Sequence, residues 1–204
     1  MTPSLFDRNV PGMTERLQSA VVGIAGCGGL GSNAAVALAR AGVGTLLLAD
    51  FDRVALSDLN RQYYFQEEIG RLKVEALAAR LRAVRPDIRL VTHAARLTPE
   101  NAPTLFQPAE LLIEAFDSAD SKRWLIESWS RAYPERPIVC ASGLAGCGRT
   151  QDLRVRSAGN LFVCGDEEAD KRLGLCAPRV AIVANMQANV AIEILMSRGE
   201  RVEP

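Results

Sequence analysis

A chain of 204 residues suits one α/β domain and leaves little length for a second folded unit. Lysine plus arginine and aspartate plus glutamate number 24 each, so no global field gathers nucleic acid or an anionic membrane, and any partner must be read from local residues. No uncharged apolar run reaches the roughly 18 residues of a membrane span, and the opening "MTPSLFDRNVPGMTER" lacks a signal peptide's basic and apolar regions, which sets the expectation of a cytoplasmic protein.

In chain order, an N-terminal arm over 1–19 precedes short apolar runs that predict strands at 20–26, 44–50, 88–94, 110–116 and 137–143. Helical patterns fall between them at 32–41, 70–85, 98–107 and 119–133. This alternation implies right-handed βαβ units in a Rossmann-like, doubly wound, mainly parallel sheet with helices on both faces. After Gly143 the stretch "RTQDLRVRSAGNLFVCGD" reads as two extended segments, a short antiparallel continuation of the sheet. The charged segment "DEEADKRLG" (166–174) reads as an exposed loop. Pro178 then opens a last helix, "PRVAIVANMQANVAIEILMSRG", whose apolar residues run almost all the way round. Such a helix needs cover from the core, another subunit, or both. The five cysteines are odd in number, widely spaced and without a CxxC pair, so neither disulfides nor structural zinc are expected.

The chemistry concentrates after the first strand. Gly26, Gly28 and Gly31 have GxGxxG spacing, where glycine permits a tight turn and brings backbone N–H groups to a phosphate. Asp50 closes the next strand, placed to accept from a ribose hydroxyl. This much fits NAD, ATP or a purely structural turn. The continuation "DFDRVALSDLNRQYYFQEEIGRLKVEAL" adds Asp52, Asn60, Arg61, Gln62 and Lys73 near the carboxyl edge of the sheet. Two cations beside a helix N-terminus suit a triphosphate better than a nicotinamide, because Arg61 offers a bidentate fork and Lys73 a point charge. Asp117 ends the strand "ELLIEAF", where a carboxylate either holds Mg²⁺ between phosphates or caps the following helix. His93, the sole histidine, lies in a strand away from these motifs and reads as structural.

Taken together and in order, "GCGGLGS" (26–32), "DFDRVALSDLNRQ" (50–62), "GRLKVEAL" (70–77) and "EAFDS" (114–118) resemble the ThiF/MoeB/ubiquitin-activating-enzyme superfamily. "RNVPG" (8–12), "NLFVCGD" (160–166) and "LCAPRVAIVANMQAN" (175–189) look like its short, zinc-free ThiF members, which adenylate the C-terminal glycine of the sulfur carrier ThiS for thiamine thiazole synthesis. The resemblance implies an adenylyltransferase using ATP and Mg²⁺, with no zinc. It assigns Gly26, Gly28, Gly29 and Gly31 to the nucleotide, Asp50 to the ribose, Asn60, Arg61, Gln62 and Lys73 to the phosphates, and Asp117 to the metal.

It also implies a homodimer in which Arg8 reaches the partner's ATP, a ThiS-like or MoaD-like carrier, and a persulfide donor of sulfur; exposed residues of 144–177 are candidates for carrier docking. No nucleic-acid or membrane partner is expected, although some members of the fold activate a small molecule or a tRNA base, or only bind nucleotide. Two departures stand out. The two CxxC pairs of longer relatives are missing, and Ser118 replaces the Asn that often follows the metal aspartate. Cys164 and Cys176 flank the charged loop but match no transfer cysteine of the relatives, so inert thiols are the expectation, as for Cys27 inside the glycine turn.

Overall fold

The computed structural model describes residues 4–197. Seven strands form one sheet in the order β3-β2-β1-β4-β5-β7-β6. They are β1 (Val21–Ala25), β2 (Thr45–Ala49), β3 (Arg89–His93), β4 (Leu111–Glu114), β5 (Ile138–Ala141), β6 (Arg154–Ala158) and β7 (Leu161–Gly165). All neighbours pair in parallel except β6 with β7, the antiparallel continuation read from the sequence. The strand order reverses beside β1, between β1 and β4, and it is at such a switch point that open α/β sheets bind ligands.

The apolar runs form strands because both faces are covered. Val22, Ile24, Leu46, Leu48, Leu111, Ile113 and Val139 pack into one core with residues of α2 (Gly29–Ala41), α3 (Lys73–Val84) and α6 (Ala177–Ser197). The alternate residues Ala25, Leu47, Ala49, Leu112, Ile138 and Cys140 pack into a second core with Phe106, Leu125 and Trp129, from around α4 (Ala102–Leu105) and α5 (Ala119–Ala132). The period of two across a continuous apolar run is the mark of a buried parallel sheet.

Most element boundaries agree with the expectations to within a few residues. Helix α2 starts at Gly29, three residues earlier than the apolar pattern, because its first turn is built from the glycine motif itself. Helix α3 starts at Lys73 rather than residue 70, since Gly70 takes φ +87° and its N–H bonds the Val54 carbonyl instead. Helix α4 is only four residues long: Thr98 and Asn101 bond each other's backbone N–H and close a turn ahead of it. Strand β3 is an edge strand, largely exposed.

Within the predicted arm, α1 (Met13–Gln18) buries Leu17 completely, and Asn9 Nδ2 bonds the Ala41 carbonyl at 2.9 Å. Residues 1–3 of that arm, and 198–199 at the end of the predicted last helix, lie outside the described residues. Helix α6 buries Val180, Val183, Ala184, Ala188, Ala191 and Leu195 against the core, while Ala181, Ile182, Asn185 and Met186 face an open groove beside Val155 and Phe162.

The reading of 166–174 as an exposed loop needs correction at its first residue. Asp166 is 4% exposed, forms an ion pair with the equally buried Arg179, and accepts the N–H groups of Glu168 and Ala169 at 2.8 Å each. Arg179 also donates to the Gly148 carbonyl at 2.6 Å. One buried pair therefore ties both ends of 148–166 to the first turn of α6. A hydrophilic sequence can hide such a pair, since burial is tolerable once each charge is matched.

Candidate nucleotide site

The glycine turn is shaped by close approach. Gly26 takes φ +96° and its N–H bonds the Ala49 carbonyl at 2.9 Å. A Cβ on Gly31 would lie 1.9 Å from the Gly26 carbonyl oxygen, so Gly31 lets α2 press against the turn and does not itself face the nucleotide space. Gly28 has open space around it: its nearest neighbour to a Cβ would be Gln62 Nε2 at 3.8 Å. These two environments predict opposite outcomes. Gly31→Ala is expected to cost about 2 kcal/mol or more of stability by overpacking against backbone. Gly28→Ala is expected to fold normally and weaken nucleotide binding. Urea unfolding and nucleotide titration separate the two.

Asp50 locks the turn. Its Oδ2 accepts the Cys27 N–H at 2.7 Å and its Oδ1 the Asp52 N–H at 2.8 Å, leaving lone pairs on both oxygens for a hydroxyl donor. Burial raises the Asp50 carboxyl above its ordinary value, against the two amides and the Lys73 charge, which lower it. The hydroxyl of buried Tyr64 donates to the Cys27 carbonyl at 2.7 Å, clasping the turn from behind.

A cavity of about 990 Å³ opens at the carboxyl ends of β1, β2, β4 and β5, lined among others by Gly26, Gly28, Gly29, Asp50, Asp52, Arg61, Lys73 and Asp117. Lys73, at the start of α3, is 6% exposed, and its Nζ lies 3.4 Å from Asp52 Oδ2 and 3.5 Å from Asp58 Oδ2. Two carboxylates thus fix a buried ammonium at the cavity wall. Arg61 is half-buried and held by the Ser57 carbonyl at 3.1 Å and Asn60 Oδ1 at 2.7 Å. Its stem passes beside Gly29, with Cγ 3.5 Å from where a Cβ would stand.

Asp117 is exposed, lines the cavity, and carries no side-chain hydrogen bond among the described residues. The cap of α5 is Ser118, whose hydroxyl accepts the Ser121 N–H at 3.1 Å, so the Asp117 carboxylate is left for other work. Among the described residues no group of three or more His, Cys, Asp or Glu could hold a metal by themselves. A single carboxylate among cations fits Mg²⁺, which commonly takes one or two carboxylates and completes its shell with phosphate and water.

Besides Gly31, three predicted residues stand apart from the cavity. Asn60 is exposed and its Nδ2 bonds the Leu175 carbonyl at 3.3 Å. Gln62 is buried beneath Gly28, with Nε2 on Asp58 Oδ1 at 2.8 Å. Arg8 lies exposed in the turn before α1 and does not line this cavity. His93 is half-buried at the end of β3, where its carbonyl accepts the Asp50 N–H at 3.2 Å.

Several residues of the site were not singled out in the sequence. Asp58 joins Lys73, Gln62 and the Ala55 N–H, and its spacing of four from Gln62 was a usable signal. Lys122 also lines the cavity, bonded at 2.9 and 3.0 Å to Glu114, which is fully buried; burial raises the Glu114 carboxyl, with Lys122 opposing. Arg96 stacks 4.5 Å above the Phe51 ring at the cavity's rim. Leu144, Ala145, Ala169, Asp170 and Leu175 also line the cavity.

A glycine turn at a sheet switch point, an acceptor carboxylate closing β2 and two fixed cations define a nucleotide-binding α/β domain. The chain belongs to the ThiF family, whose sequence profile fits residues 5–204. It is 33% identical over 92% of its length to adenylyltransferase and sulfurtransferase uba4 of Emericella nidulans, covering 42% of that protein. It is 29% identical over 91% of its length to ubiquitin-like modifier-activating enzyme 5 of Drosophila ananassae, covering 53% of it. The chain thus spans about half or less of these curated relatives. In fold it matches E. coli tRNA N6-threonylcarbamoyladenosine dehydratase, TcdA, solved in complex with AMP, with a TM-score of 0.84 and 24% identity over 93% of this chain and 91% of that one.

Proposed function

We propose that this domain adenylates the C-terminal glycine of a ubiquitin-like sulfur carrier of the ThiS kind, serving thiamine thiazole synthesis in the cytoplasm. The observation that carries this reading is the meeting of Arg61, Lys73 and Asp117 with the Gly26–Gly28–Gly29 turn around one cavity. The carrier's carboxylate oxygen attacks the α-phosphorus of ATP, the bond to the bridging oxygen breaks, and pyrophosphate leaves with that electron pair. Arg61 and Lys73 meet the charge that gathers on the departing phosphates, and the two carboxylates beside Lys73 keep its Nζ in place before and after the step. Asp117 would hold Mg²⁺, whose charge neutralises the phosphate oxygens.

The carrier's body docks on the exposed parts of 144–177, whose inner residues already form one wall of the cavity, while the flexible tail enters. Arg8, which does not line its own chain's cavity, serves the partner's ATP in a homodimer, and a persulfide donor then discharges the adenylate.

The likeness in fold to TcdA favours a second reading, in which the activated carboxylate belongs to a modified tRNA base. ATP–pyrophosphate exchange with Mg²⁺ distinguishes them. Exchange is expected with a ThiS-like carrier and to be lost when the carrier's last glycine is removed. Exchange with a MoaD-like carrier alone, or with tRNA alone, would reassign the substrate, and ATP binding without any exchange would mark a silent module.

A further inference from the structure

The five cysteines divide sharply. Cys27, Cys140 and Cys164 are buried, and burial pushes their thiols up, that of Cys164 to about 12. Since the thiolate is the reactive form, these three are inert. Cys147 is exposed and Cys176 half-buried, and the fold brings their two segments together. Gly146 and Leu175 form a parallel bridge, with the Gly146 N–H on the Gly174 carbonyl at 2.8 Å. Cys147 and Cys176 are the next residue on each side of that bridge.

The backbone bends at Cys147, between Gly146 at φ +79° and Gly148 at φ +64°. The Gly148 carbonyl accepts Arg179 Nη1 at 2.6 Å, three residues beyond Cys176. Cys147 is therefore tied to the segment that carries Cys176 by backbone on one side and by the Arg179 side chain on the other. Paired strands lie about 4.8 Å apart at such a bridge, and the two cysteines leave it side by side, so the pairing requires of them only a Cα separation within the roughly 4.4–6.8 Å that a disulfide needs. The bridge stands at the edge of the nucleotide cavity, lined by its Leu175 and by Ala145 next to Gly146, and Asn60 Nδ2 ties the Leu175 carbonyl to the loop that follows β2.

We propose that Cys147 and Cys176 are a redox pair that closes to a disulfide at the expense of a low-molecular-weight disulfide such as oxidised glutathione, and that closure fixes the lip of the nucleotide cavity. The exposed Cys147 thiolate attacks one sulfur of oxidised glutathione, forming the mixed disulfide and expelling a glutathione thiolate. Cys176, having lost its proton to solvent, then attacks the Cys147 sulfur and expels the second glutathione. Two protein thiols are oxidised and one glutathione disulfide is reduced to two thiols.

The full chain, kept folded, is equilibrated across reduced-to-oxidised glutathione ratios; free thiols are then blocked and the peptides read by mass spectrometry. The expected result is one Cys147–Cys176 cross-link within the chain, with Cys147→Ser and Cys176→Ser each giving only a mixed disulfide. Glutathione attached at Cys147 without a cross-link, or a cross-link that forms only in denaturant, would overturn the pairing. Release of a fluorescent ATP analogue is expected to slow several-fold in the oxidised chain, to recover with dithiothreitol, and not to change in Cys176→Ser. Unchanged release in the cross-linked chain would overturn the coupling to the lip.

Discussion

Asp117→Asn is expected to lower carrier-dependent ATP–pyrophosphate exchange by about 10³-fold, the scale of losing one charge aimed at a developing transition state. Its midpoint of thermal unfolding should not move. Both parts follow from the site: Asp117 is exposed, has no side-chain hydrogen bond among the described residues, and leaves the capping of α5 to Ser118. Removing its charge takes nothing from the fold. The lost activity should also be accompanied by weaker Mg²⁺ dependence, read by titrating the metal at fixed ATP. Full activity in Asp117→Asn would remove this residue from the chemistry. Lys73 would not give so clean a result, because its loss leaves Asp58, 8% exposed, without its cation.

Arg179→Met should cost about 3–5 kcal/mol at neutral pH, the usual penalty for leaving one partner of a buried ion pair unmatched. Asp166 and Arg179 have side chains only 5% and 4% exposed. Burial works against the Asp166 charge, but the amides of Ala169 and Glu168 and the Arg179 guanidinium outweigh it and hold the carboxyl below its ordinary range. Stability from such a depressed carboxyl is fully present above its unfolded value and is lost as the pH falls through the folded one. The gap between native protein and Arg179→Met is therefore expected to be widest near neutrality and to close below about pH 4. Urea unfolding across pH measures it, and a gap independent of pH would show that the pair contributes packing alone. Because the pair anchors Gly148 and Asp166 to α6, the variant should also bind nucleotide more weakly through a loosened cavity wall.

The parallel core of the fold was legible because its signals are local. Each buried strand is a continuous apolar run, and the turn glycines stand at a spacing fixed by phosphate geometry. Asp50 and Asp117 were legible beside the cavity because each stands just after a strand end, where this architecture opens its crevice, whereas Arg61 and Lys73 were picked out by the density of polar groups that follows Asp50. The role of Gly31 was harder to read, since spacing cannot say whether a glycine makes room for a ligand or for its own turn, and here the Gly26 carbonyl takes the space.

Glu114 with Lys122 and Asp166 with Arg179 were missed because their meaning is tertiary, and Asp58 because its local spacing from Gln62 does not show the contact with Lys73. Nothing in "DEEADKRLG" separates a buried aspartate from its exposed neighbours until α6 brings Arg179 against it. Cys147 and Cys176 are likewise distant in sequence and adjacent only across one backbone bridge. Gln62 shows the reverse failure: a polar residue inside a phosphate-binding motif is turned inward to hold Asp58.

The most direct test of the account follows an oxygen atom. A ThiS-like carrier labelled with ¹⁸O in its terminal carboxylate is incubated with the protein, ATP and Mg²⁺, and the adenylate is then discharged with an amine nucleophile. Attack of the carboxylate on the α-phosphorus predicts AMP carrying one ¹⁸O, with unlabelled pyrophosphate. ADP together with ¹⁸O in inorganic phosphate would place the attack on the γ-phosphorus and contradict adenylation.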